Sequence, residues 1–366
     1  MKILNFGTDN SILDSSSILA ERIREYSMLV DRYDVVVTNK SNLSIDLSSK
    51  VKVEGVKADN KIIGLFRFFR AANKLLKQEK YDIITVQDQY YIALIGLILG
   101  RRFGAGVHIQ IHGWEKFGGL RALIAKFVLP RADAIRTVSE RLKRQLVNEF
   151  GVNAEKITVV PMHVRISNSG RKKLGMQNEK SNFIFFTIGR LVPVKNIQLQ
   201  IEAMKEIADK FNQQNNNLEL WIVGEGKGKP ELEMLIKKYS LDDKVKLLGW
   251  KNRSELENIF GQVDAFLLTS YSEGWPIVII EAASFGLPII MTDVGSAGEF
   301  IKNGENGIVI PINDEEKLVS AMLEVYQNKE LRDRLGGNAY QSVLGLPPYE
   351  KILRLYLESW KKAAKK

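Results

Sequence analysis

Glu273-Gly274-Trp275-Pro276-Ile277-Val278-Ile279-Ile280-Glu281-Ala282-Ala283-Ser284-Phe285-Gly286 is the stretch around which the chain is organised. Proline presets φ for a first helical turn and glycine takes the left-handed cap, so a helix of about ten residues fits between Pro276 and Gly286. The isoleucines and valine would also suit a strand. Pro-first, Gly-last punctuation, with the strand-like Leu287-Pro288-Ile289-Ile290-Met291 directly after, favours the helix. A helix apolar on every side belongs in a core. A carboxylate at Glu281 inside it costs several kcal/mol if it has no partner, so Glu281 is expected to hold something. The free N–H groups between Gly274 and Ile277, with the helix dipole, form an anion site. An acid on either side of that site outlines a sugar-phosphate pocket.

Working outward, 366 residues with 45% hydrophobic content suggest two or three domains with real cores. The opening Met1-Lys2-Ile3-Leu4-Asn5-Phe6 is too short for a signal-peptide core and reads as a first buried strand. The longest apolar run, Tyr91 to Leu99, falls short of the roughly 20 residues that span a bilayer. The absence of cysteine excludes disulfides and thiolate metal sites and suits a cytoplasmic chain. The net charge of +10 is uneven, +9 over residues 1–170, −3 over 171–345 and +4 over the tail. No zinc-finger spacing, aromatic RNA-binding signature or basic arm accompanies it, so nucleic acid is not an expected partner. An anionic membrane surface or an acidic acceptor is. The basic, aromatic helical stretch from Lys61 to Lys77, with Phe66, Phe68 and Phe69, suits either an anionic leaflet, the protein then being peripheral on the inner face of the membrane, or the face of a sheet.

Short apolar runs alternate with helical ones along the whole chain. Strands are expected near 2–6, 33–38, 82–86, 106–111, 133–138 and 157–161, then near 183–188, 218–223, 244–248, 263–268, 288–292 and 307–310. Helices are expected near 15–31, 61–79, 90–100, 118–129 and 139–150, between the later strands, and from Pro348 to Lys362. This βα rhythm predicts an α/β protein with two Rossmann-like doubly wound domains facing a cleft. The first covers 1–167 and is completed by a C-terminal helix within 346–366; the second covers 168–345. Ser167 to Asn182 reads as the linker and Gln213 to Asn217 as a loop.

Several motifs sit where such sheets bind ligands. Thr187-Ile188-Gly189-Arg190-Leu191-Val192-Pro193-Val194-Lys195-Asn196 leaves a strand and enters a helix, so Arg190, as a two-pronged donor, and Lys195, as a point charge, can converge on a phosphate. His112 ends the strand Ile109-Gln110-Ile111. Ser139 in Thr137-Val138-Ser139-Glu140-Arg141 reads as a helix cap. Val223-Gly224-Glu225-Gly226 reads as a tight strand-to-helix turn. A P-loop reading there fails, because Pro230 stands where Ser or Thr is required.

Two glutamates separated by seven residues around Gly-Trp-Pro, together with the Gly-Arg and Lys-Asn pairs upstream, resemble the donor signature of the retaining glycosyltransferases of family 4, which have the GT-B fold. The resemblance covers nearly all of the chain and is most specific between Gly189 and Gly307. It implies a retaining hexosyltransferase that moves sugar from a nucleoside diphosphate, UDP or GDP, to a glycan or lipid-linked acceptor in surface-polysaccharide or glycoconjugate synthesis. By the same resemblance Gly189, Arg190 and Lys195 hold the diphosphate and Glu281 the ribose. Glu273 and the backbone of Gly274, Trp275 and Pro276 hold the sugar, which His112 meets near its O6. Gly224, Trp250 and Gly295 line the donor pocket, Trp250 near the nucleobase, and the final helix crosses back to the first domain. No Asp-x-Asp occurs, which fits metal-free phosphate neutralisation and no cofactor. Phe6-Gly7-Thr8-Asp9-Asn10 lacks the family's Gly-Gly pair, and Pro161-Met162-His163-Val164-Arg165 stands where Asn-Gly-Val-Asp is common. Both departures lie on the acceptor side or hinge. A nucleotide-sugar epimerase and a non-catalytic donor-binding subunit are the alternatives. Sugar product without acceptor would mark the first, and binding without transfer or hydrolysis the second.

Overall fold

The computed structural model describes residues 1–113, 118–162, 164, 182–211 and 217–365. The expected linker, the Gln213–Asn217 loop and the Pro161–Arg165 stretch lie wholly or in part outside these residues. The chain divides into two compact units, Met1–Pro161 with Pro347–Lys366, and Met162–Leu346.

In the first unit the chain runs through β1 (Lys2–Gly7), α1 (Ile18–Ser27), β2 (Arg32–Asn39), β3 (Leu43–Ser48), β4 (Val51–Lys57), α2 (Lys61–Gln78), β5 (Ile83–Val86) and α3 (Tyr91–Phe103). It continues through β6 (Gly106–Ile111), α4 (Gly119–Val128), β7 (Ala134–Thr137), α5 (Glu140–Phe150) and β8 (Ile157–Val159). The sheet order is β3-β4-β2-β1-β5-β6-β7-β8, parallel except for the β3–β4 pair. Strands of a parallel sheet are covered on both faces and read as continuous apolar runs, which is why these were legible. The β3–β4 hairpin was not expected. β3 is a largely exposed edge strand in which Leu43, Ile45 and Leu47 alternate with polar residues. Its signal is a period of two and not a run.

The second unit holds β9 (Phe183–Ile188), α6 (Ile197–Lys210), β10 (Leu218–Val223), α7 (Lys229–Lys238), β11 (Val245–Leu247), α8 (Arg253–Phe260) and β12 (Ala265–Leu268). It then runs through α9 (Ile277–Ser284), β13 (Ile289–Thr292), β14 (Ile308–Ile310), α10 (Glu315–Gln327) and α11 (Lys329–Leu344). Its sheet, β11-β10-β9-β12-β13-β14, is parallel throughout. From β9 the chain moves outward one way to β11, then returns to β12 on the other side. β9 and β12 therefore flank a switch point, and the crevice outside their carboxyl ends is where a parallel sheet takes ligands.

The helix read from the organising stretch is α9. Pro276 is its N-cap at φ −70°, and Gly286 follows its end at φ +70°. Ile279, Ile280, Ala282 and Ala283 are buried in the core of the unit. Ser139 caps α5 by accepting from the Leu142 amide at 3.2 Å.

The last helix, α12 (Tyr349–Ala363), packs in the first unit against β6, β7 and β8. It crosses so near Gly106 that a Cβ there would lie 1.8 Å from the Ala363 carbonyl oxygen. Trp360 is fully buried, with ring centroids of Tyr33 at 5.7 Å, Tyr356 at 5.8 Å and Tyr26 at 6.0 Å. Replacing a buried tryptophan by alanine removes transfer free energy and leaves a cavity, so Trp360→Ala should destabilise the first unit by about 3–5 kcal/mol. Urea denaturation measures it; a loss below about 1 kcal/mol would show that α12 is dispensable to this core.

Candidate functional site

The loop leaving β9 at Gly189 is clamped from beneath. Gln200, fully buried on α6, donates to Thr269 Oγ1 at 2.8 Å, and Thr269 in turn donates to the Asn196 carbonyl at 2.9 Å. Asn196 sits at φ +48° and donates to Asn313 Oδ1 at 3.1 Å; Tyr271 reaches the same oxygen at 3.0 Å. The Tyr271 amide donates to the Val194 carbonyl at 2.8 Å. These bonds tie the loop after β9 to the loop after β12. A side chain at its end, Lys195, is thereby fixed at the switch point.

Lys195 Nζ stands 2.6 Å from Glu273 Oε1, with the two side chains 21% and 13% exposed. Ser270 donates to the same carboxylate oxygen at 2.7 Å. The expectation assigned Lys195 and Glu273 to different parts of a ligand; in the structure each neutralises the other. Arg190 is exposed, and among the described residues its guanidinium has no partner. Beyond Glu273, the amides of Gly274, Trp275, Ile277 and Val278 take no acceptor among the described residues, and α9 has no side-chain cap. Lys195, balanced by Glu273, and a row of unpaired donors at a helix N-terminus are groups that can take an anion, and Arg190 lies in the same loop as Lys195.

Close backbone packing explains the glycines. A Cβ at Gly224 would lie 1.9 Å from the Gly189 carbonyl oxygen, and one at Gly226 2.3 Å from that of Leu191. The Gly224 amide donates to the Gly249 carbonyl at 2.9 Å, which sets the 70% exposed Trp250 beside this stack of loops. Gly295, at φ +54°, passes under the acidic loop, where a Cβ would meet Glu273 Cβ and Pro276 Cδ at 2.9 Å. The Trp275 indole turns the other way, 6.5 Å from the Phe300 ring, and its buried Nε1 has no partner. It lines a cavity of about 460 Å³ with Phe300, Asn306, Asn338 and Ser342. None of Arg190, Lys195, Glu273 and Glu281 borders that cavity, so Trp275 serves the anion site through its backbone.

Glu281 lies one turn into α9 and is partly buried. Burial pushes its carboxyl above the usual 4.5, Arg253 of α8 opposes the shift and Glu257 adds to it. His112 is carried by the first unit, just after β6, exposed on its open side and 3.4 Å through Nε2 from Arg136 Nη1. Thr269, Ser270, Gln200 and Asn313 were missed by sequence reasoning. Each acts by touching a loop distant in sequence, and no local pattern marks that. Arg136 was missed for the opposite reason: it interrupts an apolar strand, a signal that was present.

A family model described as "Glycosyl transferases group 1" matches residues 171–342, and one described as "Glycosyltransferase Family 4" matches residues 16–167. The Escherichia coli UDP-Gal:alpha-D-GlcNAc-diphosphoundecaprenol alpha-1,3-galactosyltransferase is 31% identical over 284 residues, 70% of this chain and 70% of its own. Among solved structures, Anabaena HepE in complex with UDP superposes with a TM-score of 0.75 at 20% identity, covering 99% of this chain and 100% of that one. Sucrose-phosphate synthase from Thermosynechococcus elongatus gives 0.80 at 17% identity, covering 99% and 98%. These likenesses show a GT-B fold.

A carboxyl whose folded-state pKa is raised binds its proton more tightly folded than unfolded. Its favourable contribution is complete below the unfolded value of 4.5 and is lost as pH rises through the folded one. Glu281→Gln should therefore raise the melting temperature at pH 7, with the gain shrinking as pH falls toward 4.5. A melting temperature at pH 7 unchanged or lowered by the substitution would mean that Glu281 is compensated in the fold.

Proposed function

We propose, on the premise that this chain belongs to the family 4 glycosyltransferases of GT-B fold, that it is a retaining hexosyltransferase taking its sugar from UDP and passing it to a lipid-linked acceptor. The chain is a glycosyltransferase that uses nucleotide-sugar donors in glycoconjugate synthesis. The observation that carries this reading is the half-buried Lys195–Glu273 pair, whose loop also holds exposed Arg190, with the unpaired amides of Gly274, Trp275, Ile277 and Val278. A departing diphosphate gathers negative charge as the sugar bond stretches, and preorganised donors aimed at that charge lower the barrier. Arg190 grips one phosphate and Lys195, drawn from Glu273, the other, without a metal. Glu273, released from its cation, accepts from sugar hydroxyls, and Glu281 accepts from the ribose. His112 is assigned to the transferred sugar. Holding donor and acceptor hydroxyl on one face of the sugar gives retention. UDP and a diphosphoundecaprenol-linked acceptor follow from what the E. coli relative's name says of that protein.

The lipid-linked acceptor also has support on the surface of the first unit. α2 buries Phe68, Ala72 and Leu76, as a sheet-packing helix does, and leaves Ile62 and Phe66 exposed on its other side. α3 packs between α2 and α4, and α4 exposes Leu120, Leu123 and Phe127. The three helices carry nine lysines and arginines and no aspartate or glutamate. An apolar face on helices that carry cations and no acid, with Asp59 before α2 pairing Arg67 at 2.9 Å, suits an anionic bilayer, at about 1 kcal/mol of attraction per surface cation. No helix among the described residues is long and apolar enough to cross a membrane.

Arg190→Ala and Lys195→Ala should each lower turnover about 10²–10³-fold. The double change should cost less than the product, because both cations serve one diphosphate. Their stabilities should part: Arg190→Ala is neutral, while Lys195→Ala lowers the melting temperature by stranding a half-buried Glu273. Transfer at the wild-type rate by folded Arg190→Ala would move the donor site elsewhere. For the surface, the protein should sediment with vesicles containing anionic lipid at low salt, and Phe66→Glu, on an exposed position, should weaken that binding. Equal recovery with neutral and anionic vesicles would leave a soluble acceptor as the reading.

A further inference from the structure

β7 ends in Ala134-Ile135-Arg136-Thr137, and Arg136 is 0% exposed. A guanidinium does not escape burial by losing its proton, so one kept in a core is kept for what it touches. Nη2 donates to the Val160 carbonyl at 3.1 Å and Nη1 to Gln110 Oε1 at 3.4 Å. Cζ stands 4.3 Å over the Tyr356 ring, so α12 braces the group from one side. Nη1 also faces His112 Nε2 at 3.4 Å, from the strand neighbouring β6, where Ile111 pairs with Thr137.

We propose that Arg136 is the positioning residue of His112: its N–H faces Nε2, which places the ring's proton on Nδ1 and ties the ring's orientation to α12. A guanidinium has donors only, so the ring nitrogen it approaches offers a lone pair and the single proton belongs on the other nitrogen. Among the described residues, the charges acting on the ring are Arg136 from β7 and Arg22 from α1, both positive. Desolvation by the surrounding protein, then these two cations, push its pKa down although the residue is exposed. No anion offsets them from the phenols beside the guanidinium, since burial pushes the hydroxyls of Tyr26 and Tyr33 up. His108, on β6 and also near Arg136, is itself pushed down to about 3, burial being the larger cause. The consequence for catalysis rests on the proposed role of His112 at the transferred sugar: a neutral imidazole with a defined N–H presents the same hydrogen-bonding pattern across the physiological pH range.

Long-range ¹H–¹⁵N spectra of the imidazoles in the full-length protein test this, with the His112 signals assigned by their loss in His112→Gln. Wild-type His112 should carry its proton on Nδ1 and remain neutral down to about pH 5, well below the ordinary ~6.5. In Arg136→Met its pKa should climb toward 6.5 and the tautomers should mix. Transfer, level between pH 5.5 and 8 in the wild type, should then fall about tenfold per pH unit below that raised pKa. Arg136→Lys keeps the charge and loses the fork, so it should leave the pKa depressed while freeing the tautomer. Wild-type His112 that titrates near 6.5, or holds its proton on Nε2, overturns the proposal, and this reading is available even if Arg136→Met fails to fold. The spectra need no sugar transfer. A wrong donor assignment would appear in the Arg190 and Lys195 variants and leave these tautomers unchanged.

Discussion

One ammonium–carboxylate contact, Lys195 to Glu273 at 2.6 Å, holds together the two loops that the β9–β12 switch point brings side by side. Everything around it serves to keep that contact in register. Gln200 and Thr269 fix the backbone that carries Lys195, Ser270 fixes the carboxylate, and Gly295 lets a further loop pass beneath without touching either charge. A half-buried ion pair is a modest source of stability, because desolvation offsets much of its attraction. In the proposed mechanism its value lies in exchange: a diphosphate would draw Lys195 from the carboxylate, and the freed Glu273 would accept from sugar hydroxyls, so that one contact prepares both halves of a nucleotide-sugar site.

The two units handle buried polarity differently. In the second, polar groups line the carboxyl end of the sheet and the core beneath them is apolar, with Phe185, Ile201, Leu220 and Leu267 fully or nearly buried. In the first, a polar chain runs through the core itself: Thr85 to His108 at 2.7 Å, His108 to Ser359 at 2.8 Å, and Arg136 against Gln110, Val160 and Tyr356. Burying an arginine and a histidine is costly unless their donors and acceptors are met. α12 meets His108 with Ser359 and lays the Tyr356 ring against the guanidinium, which gives its fifteen residues a part in the polar contacts of β6 and β7 as well as in their packing.

Most of the fold could be read from the sequence because parallel strands buried on both faces leave unbroken apolar runs between helix signals. The exceptions share a cause. β3 is exposed along one side and alternates, and the bonds of Gln200, Thr269 and Asn313 join residues some 13 to 117 positions apart. α2 shows the limit most clearly: its composition fitted a sheet-packing helix and a surface helix equally, and the fold gives it both faces at once, Phe68 inward and Phe66 outward.

By itself the sequence determined the doubly wound architecture, the helix between Pro276 and Gly286 and the residue types that surround its N-terminus, because propensity, capping and hydrophobic period are local properties. Only the tertiary structure decided that Lys195 and Glu273 neutralise each other, that Glu281 is left with burial against it, that the Trp275 indole turns away, and that a buried Arg136 faces His112. Charge pairing and desolvation depend on distances across the fold, and a linear sequence does not carry those distances.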